Sequence, residues 1–128
     1  MPRESPRPTD AELAILRVLW TNGPSTVRHV HEALGKDTAY TTILKLLQIM
    51  FEKGLVTRDE SARTHIYTPA DSKQTTQRRL LKNLLDKAFA GSAAQLVLQA
   101  LSAKRATPEE MREIRRLLDD FERKGAKP

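Results

Sequence analysis

Apolar residues recur at intervals of three and four in three successive segments of the amino-terminal half, which predicts three amphipathic helices. The first helix begins after Thr9, because Glu12 lies three positions later and completes a capping box, and it ends at Gly23-Pro24. The second helix is shorter, and we expect Ser25 to cap it. The core-facing residues of these two helices are Leu13, Leu16, Leu19, Trp20, Val27, Val30 and Leu34.

The third segment, "DTAYTTILKLLQIMFEKGLV" at residues 37–56, predicts a helix from Ala39 to Lys53 that Gly54 ends. One face of this helix is apolar and is expected to lie in the core, through Ile43, Leu47, Met50 and Phe51. The opposite face carries a polar stripe, formed by Thr41, Lys45, Gln48 and Glu52. This stripe is either a plain solvated surface or a surface that reads another molecule. Glu52, at its far end, is expected to face solvent or to neutralise Lys53.

The period of the hydrophobic pattern changes after Gly54. Two runs rich in β-branched and aromatic residues, "LVTRDE" and "THIYTP", are separated by the polar "SAR" and predict two strands joined by a tight turn. Three helices followed by a hairpin within about 70 residues describe a winged helix-turn-helix, whose third helix reads DNA. The alternative is a three-helix core whose hairpin has no binding role.

From Asp71 onward the pattern predicts helices alone. A fourth helix is interrupted at Gly91, Ser92 caps a fifth, and Thr107 followed by Pro108 starts a sixth. All three carry apolar stripes, and the stripe of the sixth has the 3-4-3 spacing of a helix that packs on another helix. The residues expected to make a dimer contact are Leu80, Leu84, Phe89, Leu98, Leu101, Met111, Ile114, Leu118 and Phe121.

Three short leucine-rich helices cannot bury both of their faces among themselves, so we expect two chains to interlock their tails as a homodimer. The alternative is that the tail packs back onto the winged helix within one chain. The pattern therefore predicts a mainly α chain in three parts. These are a flexible arm at residues 1–8, a winged helix-turn-helix DNA-binding domain at 9–70 and a helical dimerisation domain at 71–128.

Composition narrows the classes of function without selecting one. The 128 residues carry a formal net charge of +6, which favours a polyanionic partner. Most of the excess lies in the tail, because residues 1–70 carry nine Lys and Arg against eight Asp and Glu, and residues 71–128 carry thirteen against eight. The chain has no cysteine, no apolar run of membrane-spanning length and no secretory signal. We therefore expect a cytoplasmic protein without membrane association.

The chain shows no catalytic or metal-binding motif. His29 and His31 are two positions apart on one helix and point in different directions, and His65 has no carboxylate cluster beside it in the sequence. A glycine-rich phosphate loop and a nucleophile motif are also missing. We therefore expect no enzyme activity, no metal and no cofactor.

Several motifs together resemble one family. "PTDAELAILRVLW", "VRHVHEAL" and "AYTTILKLL", followed by "KGLVTRDESARTHIYTP", resemble the BlaI/MecI family of bacterial repressors, the penicillinase-repressor group that also includes the CopY proteins. The likeness covers the first 70 residues closely, and the three-helix tail agrees in length and character. It implies a homodimeric winged-helix repressor that binds a dyad-symmetric operator and blocks transcription. Many family members are paired with a membrane-bound sensor metalloprotease that cuts the tail.

The chain also departs from the family pattern. The pair Gln99-Ala100 stands where the proteolysed members have a scissile Asn-Phe bond, and the cysteine motifs of CopY are absent, so the inducing signal stays open. Late in the third helix, Ile49 replaces an arginine. In the wing, Ala62-Arg63 replaces Gly-Arg, which keeps the arginine but not the freedom of the glycine.

A recognition helix presents its amino-terminal residues to base edges in the major groove. Thr41 and Thr42 can hydrogen-bond and offer a methyl group to thymine. Lys45 can reach guanine or a phosphate, and Gln48 can pair with adenine. Contacts to the DNA backbone or the minor groove are expected from Tyr40, Arg63, Ser25, Thr26 and Arg28. For each residue the alternative is an ordinary solvated side chain.

Two other functions can use the same fold. A helical adaptor that binds protein would keep the tail but leave the stripe of the third helix without a role. A winged-helix regulator could instead bind a small ligand in its dimer cleft. Aromatic residues make up only 5% of the chain, which argues against a large aromatic pocket in such a cleft.

Overall fold

The computed structural model describes residues 7–35 and 37–125, and it confirms a mainly α winged helix-turn-helix fold. Residues 1–6 of the predicted arm lie outside the described ranges. The ends of the third helix and of both strands fall within two residues of the prediction. In chain order the elements are α1 (Asp10–Asn22), α2 (Val27–Leu34), α3 (Tyr40–Lys53), β1 (Val56–Asp59), β2 (Ile66–Pro69), α4 (Lys73–Ala88), α5 (Ala93–Ala103) and α6 (Pro108–Gly125).

The chain divides into two compact units, one up to Lys82 and one from Asn83 onward. The division therefore lies inside α4, whereas the sequence pattern predicted a boundary at residue 70. The first turns of α4 belong to the unit of the winged helix, where Thr76 is buried. Just before α4, the carbonyl oxygen of Asp71 accepts a hydrogen bond from the Trp20 indole Nε1 at 3.2 Å.

Side-chain caps fix the starts of the first two helices. The Thr9 hydroxyl accepts from the Glu12 amide at 3.2 Å, and Glu12 Oε1 accepts from the Thr9 amide at 2.9 Å, which is the predicted capping box. The prediction that Ser25 caps α2 is wrong. Thr26 is the N-cap, and its hydroxyl accepts from the His29 amide at 3.1 Å.

Ser25 instead ties the hairpin to the start of α2. The Ser25 amide donates to the Tyr67 carbonyl at 3.0 Å, and the Tyr67 amide donates to the Ser25 carbonyl at 2.8 Å. Across the antiparallel hairpin, Arg58 pairs with Tyr67 and Val56 pairs with Pro69. Because Tyr67 is only 1% exposed, the base of the wing is anchored in the core.

A cluster of buried apolar residues joins α1, α2, α3 and the hairpin. The predicted core faces of the three helices are confirmed, with four of their residues half-buried at the edge of the cluster, namely Leu13, Trp20, Leu34 and Phe51. α3 ends at Gly54, whose φ of 82° and ψ of 15° are left-handed, and the chain then turns directly into β1. The buried members are Ile15, Leu16, Leu19, Val27, Val30, Ile43, Leu47, Met50, Val56 and Tyr67.

A buried carboxylate links the start of α1 to the end of α3. Glu12 is 2% exposed, and its Oε1 accepts from Lys53 Nζ at 2.7 Å. Burial by itself raises the pKa of Glu12, but the hydrogen bonds from Lys53 and Thr9, with the charge of Lys53, outweigh it and hold the pKa below its usual value. This contact joins residues 41 positions apart and was not predicted.

The helices of the tail leave their apolar faces open. The predicted caps are confirmed, since the Ser92 hydroxyl accepts from the Gln95 amide at 3.2 Å and the Thr107 hydroxyl accepts from the Glu110 amide at 3.1 Å. None of the residues in α5 or α6 is buried. Within the described ranges, no helix has the length and apolar character needed to cross a membrane. The large apolar side chains exposed on α4, α5 and α6 are Leu81, Leu84, Val97, Leu98, Leu117, Leu118 and Phe121.

We expect Glu12→Gln to lower the free energy of unfolding at pH 7 by about 1–2 kcal/mol, because the neutral amide loses the charge of the pair with Lys53. The folded-state pKa of Glu12 is depressed, so its contribution is present above its ordinary pKa of 4.5 and is lost as the pH falls through the lower folded-state value. Urea denaturation of wild type and variant, at pH 7 and at successively lower pH, measures the difference.

The matched control is Glu32→Gln at an exposed position of α2, which should change the free energy of unfolding by less than about 0.5 kcal/mol. The difference between wild type and Glu12→Gln should shrink in acid. A difference that stays constant down to the lowest pH would contradict the assigned ion pair.

Candidate nucleic-acid interface

The polar stripe of α3 lies on the surface. Its exposed members, with the neighbouring Thr42, are Thr41, Thr42, Lys45, Gln48 and Glu52. On the other side of the same helix, Ile43, Leu47 and Met50 are at most 1% exposed. Since the core holds that side, α3 cannot rotate about its axis without exposing three large apolar side chains. Packing therefore fixes the orientation of the stripe.

The first turn of α3 has no side-chain cap. Its N-cap residue is Ala39, so no cap side chain within the described residues accepts from the first amides of the helix, and the Thr42 amide donates to the Ala39 carbonyl at 3.1 Å. Tyr40 is 46% exposed, and its ring makes an edge contact with His31, with centroids 5.8 Å apart and planes at 78°. The positive end of the helix dipole, without a capping side chain, favours a nearby anion such as a phosphate group.

The start of α2 provides two of the three residues predicted there. Arg28 is exposed, and Thr26 is half-buried with its hydroxyl oxygen capping the helix. Ser25 is a correction to the predicted contact set. Its side chain is 4% exposed, and its Oγ donates to the Gly23 carbonyl at 2.8 Å, so it is not available at the surface.

The turn of the wing presents Arg63 to solvent. Before it, Asp59 Oδ1 accepts from the Ser61 amide at 2.9 Å, and the side-chain and backbone hydrogen bonds of Ser61 lower the pKa of Asp59. Ala90 is the one non-glycine residue with a positive φ in the described chain. The turn therefore accommodates Ala62, in place of the glycine of the family pattern, without a left-handed backbone.

Arg58 is a structural arginine of the wing that the sequence did not single out. Its guanidinium lies over the ring of Phe51, with Cζ 4.0 Å from the ring centroid, and its Nη2 lies 3.3 Å from Glu60 Oε1. Hydrogen bonding to Tyr67 raises the pKa of Arg58, and burial opposes this effect. Arg58 thus holds β1 against the end of α3. The sequence could have indicated this role through the pairing of Arg58 with Tyr67, but that pairing is known only once the register of the two strands is known.

Three exposed cations of α2, α3 and the wing remain without an ion pair among the described residues. They are Arg28, Lys45 and Arg63. Glu52 faces solvent as expected, but the alternative that it neutralises Lys53 is wrong, because Lys53 pairs with Glu12.

The histidines make local contacts. His31 packs on Tyr40, and His65 Nε2 lies 3.9 Å from Glu60 Oε1 in the wing. The His29 amide donates to the cap at Thr26. Over residues 7–35 and 37–125, no three or more His, Asp or Glu side chains are grouped so as to hold a metal ion.

Similarity to known proteins points to one group. The family model of the penicillinase repressor matches residues 8–120. The transcriptional regulator BlaI of Mycobacterium tuberculosis is 34% identical over 116 residues, which cover 88% of this chain and 83% of that protein. The penicillinase repressor of Bacillus licheniformis is 23% identical over 120 residues, which cover 92% and 94%. A solution structure of monomeric Bacillus licheniformis BlaI in complex with the blaP half-operator matches 56% of this chain and 89% of that chain, with 26% identity and a TM-score of 0.48.

The different environments of two wing arginines lead to a stability prediction. Arg58→Ala should lower the urea midpoint of unfolding, because it removes the guanidinium that stacks on Phe51. Arg63→Ala removes the same charge from an exposed side chain and should leave the midpoint unchanged. Equal midpoints for the two variants would contradict the structural role of Arg58.

Proposed function

The chain belongs to the penicillinase repressor family, and on this premise we propose that it is a homodimeric repressor of transcription that binds a dyad-symmetric operator through α3 and the wing. The observation that carries the proposal is the exposed polar stripe on a helix whose other side is locked in the core. A helix held in this way can enter the major groove without rearranging. The protein is expected to act in the cytoplasm.

The first two turns of α3 read the bases. Thr41 and Thr42 offer hydroxyl groups to base edges and methyl groups to thymine. Lys45, one turn further on, reaches guanine O6 and N7 or an adjacent phosphate, and Gln48 pairs with adenine. Beyond Gln48 the stripe carries Glu52, whose carboxylate is repelled by phosphate groups. Base reading is therefore concentrated at the amino-terminal end of the helix.

Residues at the start of α2, at the start of α3 and in the wing contact the DNA backbone. Arg28 and Arg63 are exposed cations without an ion pair in the described chain. Arg28 is suited to a phosphate contact, and Arg63 in the wing is suited to a phosphate or minor-groove contact. Tyr40 is the first residue of α3, and its hydroxyl can donate to a phosphate group that lies at the amino-terminal end of this helix. The Thr26 oxygen accepts from His29, which leaves its O–H proton free to donate to DNA.

A second copy of the chain completes the tail. Four of the residues predicted for the dimer contact, Leu84, Leu98, Leu118 and Phe121, are 50%, 55%, 55% and 71% exposed. The other five, which are Leu80, Phe89, Leu101, Met111 and Ile114, are half-buried. Soluble monomers rarely leave so many large apolar side chains in water, and a two-fold partner is the simplest cover for them.

Dimerisation is then the natural point of control. The described part of α2, α3 and the wing offers three unpaired cations to phosphate, which are Arg28, Lys45 and Arg63, so useful affinity requires both half-sites to be engaged together. In the family, a membrane sensor metalloprotease can cut the repressor and release it from DNA. This chain has Gln99-Ala100 in place of the expected Asn-Phe bond, so we propose no inducing signal. A protein-binding adaptor would use the same tail but would leave the α3 stripe without a role.

Gel shift with the DNA upstream of the chain's own gene, across a salt series, tests DNA binding. We expect a specific complex whose affinity falls steeply as salt rises. In the same titration, Lys45→Ala should weaken binding by about 1–3 kcal/mol, because it removes a base contact. Glu52→Gln is the control on the same stripe, and it should not weaken binding, because it removes a negative charge. Unchanged affinity for Lys45→Ala would place that side chain in solvent.

A matched pair of α6 variants tests the dimer. Leu118→Asp places a charge on the apolar face and should both dissociate the dimer in sedimentation and abolish operator binding. Arg116→Gln makes the same change in net charge at an exposed residue on the polar face and should alter neither. Circular dichroism checks that both variants stay folded. Tight operator binding by a monomeric Leu118→Asp protein would refute control through dimerisation.

A further inference from the structure

A cavity of about 490 Å³ lies within the first unit, between α1 and the start of α4. α1 supplies Leu13, Arg17 and Trp20 to its wall, and α4 supplies Lys73, Gln77 and Leu80. All of these residues precede Asn83, so the cavity belongs to one compact unit. Its volume falls in the range of small-molecule sites, which is about 300–1,000 Å³.

One part of the lining is apolar and well fixed. Leu13, Trp20 and Leu80 are half-buried, and the indole Nε1 of Trp20 donates to the Asp71 carbonyl at 3.2 Å. This hydrogen bond sets the orientation of the indole ring against the cavity. The three side chains form a surface on which an alkyl or aromatic group can lie.

The charged part of the lining is cationic, and Thr21 adds a neutral hydroxyl group. Arg17 and Lys73 are both exposed, and neither forms an ion pair within the described chain. None of the described residues that line the cavity is acidic. The nearby Asp71 does not neutralise these two cations, because its Oδ2 pairs with Arg79 Nη1 at 2.8 Å. Gln77 adds an amide that can donate to an anionic oxygen.

We propose that this cavity binds a small amphipathic anion, whose apolar body lies on Leu13, Trp20 and Leu80 and whose single carboxylate or phosphate group lies between Arg17 and Lys73. Two cations that form no ion pair within the described chain favour an anionic group, and charge-assisted hydrogen bonds to a guanidinium and an ammonium are stronger than neutral ones. The apolar wall argues for a small molecule rather than a bare inorganic ion. Leu80 is shared with the residues predicted for the dimer contact, whereas the residues of α3 and the wing take no part in the cavity.

Trp20 is the one tryptophan of the chain, so its fluorescence reports directly on the cavity without any DNA. The full-length protein is titrated with octanoate and octyl phosphate, each below its critical micelle concentration, and with octanol below its solubility limit in water. We expect a saturable change in Trp20 fluorescence with at least one of the two anions, and binding of the neutral octanol that is weaker by about tenfold or more. The tighter of the two anions identifies the head group.

Two double variants distinguish binding in the cavity from a general effect of the protein's net charge. Arg17→Gln with Lys73→Gln should weaken binding of the preferred anion by about tenfold or more. Arg78→Gln with Lys82→Gln makes the same charge change at exposed positions of α4 outside the cavity lining and should leave the affinity unchanged. The proposal is overturned if no anion gives a saturable signal, if octanol binds as tightly as the anions, or if both double variants lose affinity equally.

Discussion

The burial of one face of α3 is the constraint on which the rest of the structure depends. Ile43, Leu47 and Met50 are almost wholly removed from water, so the helix has one orientation in which its apolar side chains are satisfied. The polar stripe is exposed as a direct consequence. The ends of the helix are fixed independently, by Glu12 bonded to Lys53 at one end and by the ring contact at Tyr40 at the other. A rigid helix with a fixed outer face is what base reading requires.

The two units of the chain differ in how much of their apolar surface is buried. The first unit is complete by itself, because α2, the hairpin and the start of α4 each have a buried anchor in Val30, Tyr67 and Thr76. The second unit has no buried residue in α5 or α6 and exposes residues such as Phe121. The buried core thus lies in the first unit, whereas the second unit leaves its large apolar side chains exposed.

Local signals in the sequence predicted most of the elements. The capping box at Thr9, the cap at Thr107 and the stop at Gly54 all depend on residues within a few positions of one another, and each is confirmed. The errors arose where distant residues compete. Ser25 has the chemistry of a cap, but pairing with Tyr67 holds its backbone outside the helix. Arg58 on Phe51, Glu12 with Lys53 and the cavity beside Trp20 all need the tertiary fold, so no local pattern marks them. The exposed stripe was predicted, whereas its contacts with DNA remain predictions.

We propose that two chains read two symmetric half-sites with the first turns of α3. Selection of bound duplexes from a random pool by the full-length protein, followed by sedimentation of the protein with the selected duplex, measures both the sequence that is read and the number of chains that bind it. We expect an enriched inverted repeat, bound by two chains, whose half-sites are about 10 base pairs or a multiple of one helical turn apart. Enrichment of a single unrepeated site bound by one chain, or of no sequence at all, would contradict it.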